Sequence, residues 1–223
     1  MAGRKVILAN GEYYHIYNRG IARQPVFFTK RDYERFLLAL SYYRFQSPPV
    51  KLSRFLDFPQ LIRDDILRKQ LQEGRKLVEI VSFVFMPNHF HLLLRQKIDK
   101  GISIFLSMLI NSYTRYINIK TDRVGDLFQG VFKAVHVETD EQLVHLSRYI
   151  HLNPLISFVV KEADFLSYPW SSLGDYLRMK SAIVDLSLIL EHFKKPNSYR
   201  DFVLDRVNYL KRLKEINHLL LEK

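Results

Sequence analysis

Apolar and polar positions along the chain alternate in an order that predicts strand, helix, two strands, helix, strand and helix. Residues 12–17 are aromatic and branched and stop at Asn18-Arg19-Gly20, as a strand entering a turn does. Residues 32–45 carry Tyr33, Phe36, Leu37, Leu40 and Tyr43 at spacings of three and four, the pattern of one buried helical face. Residues 47–75 open with Pro48-Pro49 and then space Leu61, Ile62, Ile66, Leu67 and Leu71 helically, which predicts an inserted helical excursion. Residues 77–86 and 89–96 read as two strands joined at Pro87-Asn88, because proline presets φ and asparagine tolerates turn geometry. Residues 102–119 read as a helix with Ile102, Phe105, Leu106, Leu109, Tyr113, Tyr116 and Ile117 inward, and 133–138 as a strand. A helix over 140–152 is expected to end at Asn153-Pro154, since a residue before proline avoids helical geometry. The order predicts an α+β fold, one antiparallel sheet with helices packed on it.

After Tyr168-Pro169-Trp170 the pattern changes to short helices and loops, ending in a helix over 199–221 built on Phe202, Val203, Val207, Leu210, Leu213, Ile216 and Leu220. Two regions follow from this: a main domain over 1–165 carrying the insertion at 47–75, and a helical C-terminal extension over 166–223.

Composition then narrows the class. With 223 residues, 48% of them hydrophobic, the chain can bury an ample core. The lack of cysteine excludes disulfides and thiolate ligands, so a metal would need His, carboxylate, amide or water, and it fits an intracellular protein. No apolar segment reaches membrane-spanning length, and the first residues lack the apolar core of an export signal. The expectation is a soluble, cytoplasmic protein with no membrane partner. Lys and Arg total 34 against 23 Asp and Glu, a formal +11, so nucleic acid is the first partner to test, although a solvated basic surface explains the charge equally well.

The stretch VFMPNHFHLLL places His89 and His91 two apart on a strand, where side chains share a face with Cα atoms about 6.5 to 7 Å apart. Two imidazoles can converge there on one ion or phosphate, while Phe90, Leu92 and Leu94 fill the core on the other side. Rings that merely bond to backbone would look the same. Two histidines also leave a metal short of ligands. The best source of more is the helix EQLVHLSRYIHLN, where Tyr149 and Asn153 lie four apart on one face, offering a phenol and an amide oxygen. A rim aromatic and a helix cap are the plainer readings of that pair.

The ordered set YHIYNRG, FF-x3-DYERFL, MPNHFHLLL, GDLFQGVFKAVHVE, YIHLNPL and YPWSS, running from Tyr13 to Tyr176, resembles the HUH single-tyrosine transposases, specifically the REP-associated tyrosine transposase group. That resemblance implies a ferredoxin-like sheet and a metal held by His89 and His91. It implies Tyr149 as nucleophile and Asn153 as the third ligand, where some relatives have glutamine. The implied activity is cleavage and rejoining of single-stranded DNA next to hairpins through a 5′-phosphotyrosine, with Mg2+ or Mn2+ as cofactor. His145, one turn before Tyr149, is a conceivable proton acceptor, and Tyr113 or Tyr116 a fallback nucleophile. Arg115, Arg123, Lys133 and Arg148 are candidate DNA contacts. Two other readings remain open: a domesticated, non-catalytic hairpin-binding protein, and a metal-dependent nuclease that uses water. A homodimer, with its active site built in one chain or between two, is open as well.

Overall fold

Seven strand residues that alternate inward and outward begin the sheet: in β1 (Tyr13–Arg19), Tyr14, Ile16 and Asn18 are buried while their neighbours are half-buried or exposed. The computed structural model of the chain describes residues 6–193, 195 and 198–205. After β1 come α1 (Lys30–Tyr43), α2 (Leu52–Asp57), α3 (Gln60–Glu73), β2 (Val78–Met86), β3 (His89–Gln96), α4 (Gly101–Thr121), β4 (Lys133–Val137) and α5 (Asp140–Ile156). The short helices α6 (Glu162–Phe165), α7 (Leu173–Arg178), α8 (Ser187–Leu190) and α9 (Ser198–Leu204) follow. The four strands form one antiparallel sheet in the order β2-β3-β1-β4 with helices packed on it, the βαββαβ arrangement of ferredoxin-like folds. Among the described residues no helix is long and apolar enough to cross a membrane.

The contacts group the chain into two units. The first holds residues up to Glu79 with Pro87–His89 and Leu94–His136. Here α1 packs on α4, and Phe27, Phe36 and Tyr113 form an aromatic cluster, with Phe36 edge-on to Tyr113 at 4.9 Å. The start of α1 is built around Asp32. Thr29 and Asp32 form a reciprocal capping box, and the buried Asp32 carboxylate also accepts from Tyr116 at 2.9 Å and pairs with Lys120. Burial acts to raise the Asp32 pKa, but bonds from Lys120, Tyr116 and the backbone of Thr29 and Phe28 outweigh it and hold it below the usual carboxylate range. The ionised form is therefore favoured by folding. Its stabilisation is present above the unfolded-state pKa and is lost as pH falls through the lower folded one. Asp32→Ala is expected to cost about 3 kcal/mol, because Lys120 and Tyr116 lose their partner, and urea melts at neutral pH measure it. The loss should shrink as the pH is taken into the acid range.

The second unit holds Ile80–Met86, Phe90–Leu93 and the described residues from Val137 on. The YPWSS segment lies along β2: Phe85 N donates to Trp170 O at 2.8 Å, Ser172 N to Phe83 O at 3.0 Å, and Tyr168 Oη to Phe85 O at 2.8 Å. Further on, Asp185 N donates to Ile80 O at 2.8 Å. These bonds occupy an edge strand that would otherwise present unpaired amides.

Two elements depart from their expected form, and a third is only partly described. α5 does not stop before Asn153-Pro154 but runs to Ile156 with Pro154 inside it. Proline forfeits one amide donor, yet this close to the helix end only that bond is lost, and Ser157 N still donates to Asn153 O at 2.9 Å. The insertion at 47–75 is helical as expected, but Leu61, Ile62 and Leu71 of α3 are exposed instead of forming a buried face. The predicted 199–221 helix is seen as α9 up to Leu204; its positions from Val207 on lie outside the described residues.

Candidate active site

The turn between β2 and β3 presents the histidines. Pro87 O accepts from Val26 N and Phe27 N at 2.8 and 3.1 Å, and Asn88 O accepts from Gly20 N at 2.8 Å, so this turn is clamped by the segment that follows β1. Asn88 has a further task that turn chemistry did not reveal. Its Nδ2 donates to Arg23 O at 3.0 Å, which turns its Oδ1 toward His89 Nδ1 at 2.6 Å. An amide oxygen only accepts, so Nδ1 carries the proton and the lone pair resides on Nε2. This is how an outer partner fixes the tautomer of a ligating histidine.

His91 follows on the same strand face but is only 8% exposed, and Leu93 beside it is fully buried. The histidine face is thus covered toward its centre instead of wet along its length. In the second unit the His91 ring meets the Tyr149 ring edge-on, with centroids 5.8 Å apart.

α5 brings Tyr149 there. The helix starts on Thr139, whose side chain accepts from Gln142 N at 3.2 Å, with Asp140 and Glu141 at the positive end of the helix dipole. Every residue from Ser147 to Leu155 is buried except Tyr149, which is 46% exposed and is the one exposed tyrosine among the described residues. One turn on, Asn153 Nδ2 donates to Tyr149 O at 2.9 Å, an orientation that leaves the amide oxygen as the atom able to meet a cation. The structure therefore brings His91, Tyr149 and Asn153 into one unit, with His89 two residues from His91 on β3.

The other tyrosines considered are committed elsewhere. Tyr113 is fully buried, donates to Val26 O at 2.7 Å, and burial drives its pKa far up. Tyr116 donates to Asp32, and burial together with that carboxylate raises its pKa as well. Both are held protonated, the wrong state for a nucleophile. His145 Nδ1 accepts from Arg148 Nη2 at 2.8 Å, so this ring is already engaged.

Of the four cations expected at DNA, Arg115, Arg123 and Lys133 are exposed. Arg148 is not: it is buried, its guanidinium lies 4.1 Å from the Phe202 ring centre, and Nη1 donates to Phe202 O at 3.3 Å. It anchors α9 to α5 instead of facing solvent.

A buried chain of polar groups that no local sequence pattern announces involves Ser147 and His151 of α5. His151 Nδ1 lies 2.7 Å from Tyr199 Oη and its Nε2 2.7 Å from Ser172 Oγ, while Ser147 Oγ is 3.0 Å from Tyr199 Oη. Ser147 Oγ donates to Val144 O and Ser172 Oγ to Phe83 O, so both ends of the chain are tied to backbone carbonyls. Burial pushes the His151 pKa down to about 3, so the ring is neutral and the chain is satisfied. It ties α5 to the YPWSS segment and to α9. The only sequence signal was that His151 and Ser172 sit inside the motifs YIHLNPL and YPWSS.

Among the described residues no group of three or more His, Asp or Glu side chains is placed to hold a metal. Two imidazoles with an amide oxygen do fit a divalent ion chemically, and the Asn88-set tautomer of His89 suits ligation.

Residues 64–153 match the family of IS200-like transposases. The matched segment spans His89, His91, Tyr149 and Asn153. A solved structure of a REP-associated tyrosine transposase bound to a REP hairpin has a TM-score of 0.56 and 15% identity to this chain, covering 84% of this chain and 96% of its own. That likeness shows a shared fold. No curated protein sequence matches the chain. The fold expected from the sequence motifs is therefore the fold the structure has, and the ferredoxin-like architecture accounts for the order of the elements.

Proposed function

We propose that the protein is a transposase that cleaves and rejoins single-stranded DNA beside hairpins, with Tyr149 as nucleophile. The observation that carries this is the exposure of Tyr149 on a stretch of α5 otherwise buried, with its ring against His91. Burying a phenol's ring and leaving its oxygen in water would be the ordinary outcome for a packing residue; an exposed phenol held by a rigid helix is the form a nucleophile needs. The solved relative's REP hairpin supports hairpin DNA as the partner.

In the reaction, Tyr149 Oη attacks the phosphorus in line, the Oη–P bond forms, and the bond to the 3′ oxygen breaks. The products are a 5′-phosphotyrosine and a free 3′-OH, and the phenolic proton passes to water or a nearby base. Because the product is again an ester, attack by a 3′-OH reverses the step and rejoins a strand without ATP. His89, His91 and Asn153 would hold a divalent ion such as Mg2+ or Mn2+, which when bound draws charge from the phosphodiester. The Asn88–His89 bond keeps Nε2 in its unprotonated form for that purpose. The buried His151 chain fixes α5 so that Tyr149 is presented without rearrangement.

The test is an adduct assay on a hairpin with a single-stranded flank in the presence of Mn2+, read on a denaturing gel, with salt titrations of binding alongside. An adduct is expected. A hydrolytic nuclease or a non-catalytic binder would give none. Binding should weaken with salt at a log-log slope of about −3 to −5, as four to six phosphate contacts produce, and the hairpin should be preferred about tenfold over an unstructured strand. Equal affinity for the two DNAs, or a nearly flat salt dependence, would sink hairpin processing.

A further inference from the structure

The first unit contains a crevice of about 1020 Å³ between α1, α4 and the loop that opens the insertion. It is large for a small-molecule pocket, which runs to about 1,000 Å³. None of its lining residues belongs to the unit that carries His91 and Tyr149. Its walls are of two kinds. Pro49, Leu52, Met108 and Ile119 give apolar surface, with the Tyr43 and Tyr116 rings beside them. Its charged lining groups are Arg35, Lys51, Arg115 and Lys120, and among the described residues no acidic side chain lines it. Lys120 is neutralised by Asp32, but Lys51 and Arg115 are exposed and enter no ion pair among the described residues.

Arg35 is the most telling. Its Cζ lies 5.4 Å from the Tyr116 ring centre, and its Nε is buried without a hydrogen-bond partner among the described residues. A buried guanidinium donor left unsatisfied is costly, and an anion is the partner that would satisfy it best. A second concavity of about 430 Å³ shares Asn111, Arg115 and Ile119 with the first and continues to Arg123 near the end of α4. The charged groups lining that second concavity are Arg115 on α4 and, just past the end of the helix, Asp122 and Arg123.

We infer that this crevice binds an unpaired nucleotide of a DNA strand, the base against the apolar and aromatic wall and the phosphate at Arg35 and Arg115, with the strand leading on toward Arg123. A flat apolar body joined to an anion is the ligand chemistry that such walls select, and stacking with a cationic track is how single strands are held. A free nucleotide shares that chemistry, but the extension past Arg115 suits a chain. The inference rests on DNA as the partner of the proposed transposase.

The probe is 5′-phosphorylated tetrathymidylate, titrated by calorimetry against the full chain, with free dTMP and an abasic tetranucleotide of equal charge in parallel. Ser107 is exposed and lines the crevice, so Ser107→Trp fills it from the solvent side with little demand on folding. Ser107→Trp and Arg115→Glu are each expected to weaken tetrathymidylate binding about tenfold, and the abasic strand to bind about fivefold more weakly than the intact one. Unchanged affinity in both variants, or equal binding of the abasic strand, overturns the inference. Equal affinity for dTMP and the tetranucleotide would assign the crevice to free nucleotides and overturn the strand. Adduct formation on hairpin DNA is followed in the same proteins: an adduct without crevice binding removes this inference and leaves the transposase reading standing, and the converse result does the reverse.

Discussion

Tyr149→Phe is expected to lower covalent attachment to single-stranded DNA by at least about 10³-fold, since no other group can form the phosphotyrosine bond. DNA affinity should stay within about twofold, because the ring and its edge contact with His91 are kept and only one oxygen is lost. Stability should change by no more than about 0.5 kcal/mol, given that the phenol is 46% exposed. A denaturing gel with labelled DNA reads the first quantity and a melting curve the last. An adduct that survives in the Phe variant would refute Tyr149 as nucleophile. Tyr113 and Tyr116 would be poor replacements, because both phenols already donate, to Val26 and to Asp32, and have raised pKa values.

His89→Ala and His91→Ala are each expected to reduce adduct formation by about 10² or more, the scale set by loss of a ligand that orients and charges a reacting phosphate. Mn2+ binding, followed by calorimetry, should fall with them, and chelation of the wild-type protein should reproduce the loss. The two variants differ in stability. His89 is half-buried at a turn, so its removal should cost less than about 1 kcal/mol, whereas the buried His91 leaves a gap and should cost about 1 to 2 kcal/mol. Retained Mn2+ affinity with a large drop in melting temperature would instead make the pair ordinary packing residues. Asn88→Ala offers a finer check. It leaves both imidazoles in place but frees the His89 tautomer, so metal affinity should fall about tenfold with adduct chemistry still detectable.

Much of this protein is legible from its sequence, and the reason differs from one feature to the next. Periodicities of two and of three to four are local properties, so β1, the β2–β3 pair and α4 appear close to their predicted bounds. The strand, helix, strand, strand, helix, strand order then leaves few ways to build a sheet, and the observed β2-β3-β1-β4 is one of them. The spacing of His89 and His91, and of Tyr149 and Asn153, was equally local. Tertiary structure decided whatever depends on partners distant in sequence. α5 has no single buried face near its end, because the YPWSS segment and α9 bury it on the remaining sides, so no periodicity could show that Tyr149 alone is exposed there. Arg148 reads as a surface cation until Phe202 captures it. The orientation of His89 depends on Asn88, and that of Asn88 on the Arg23 carbonyl, a contact made only once the chain after β1 has docked on the β2–β3 turn. Spacing places chemical groups along an element, whereas exposure, charge state and tautomer are set by what else packs against it.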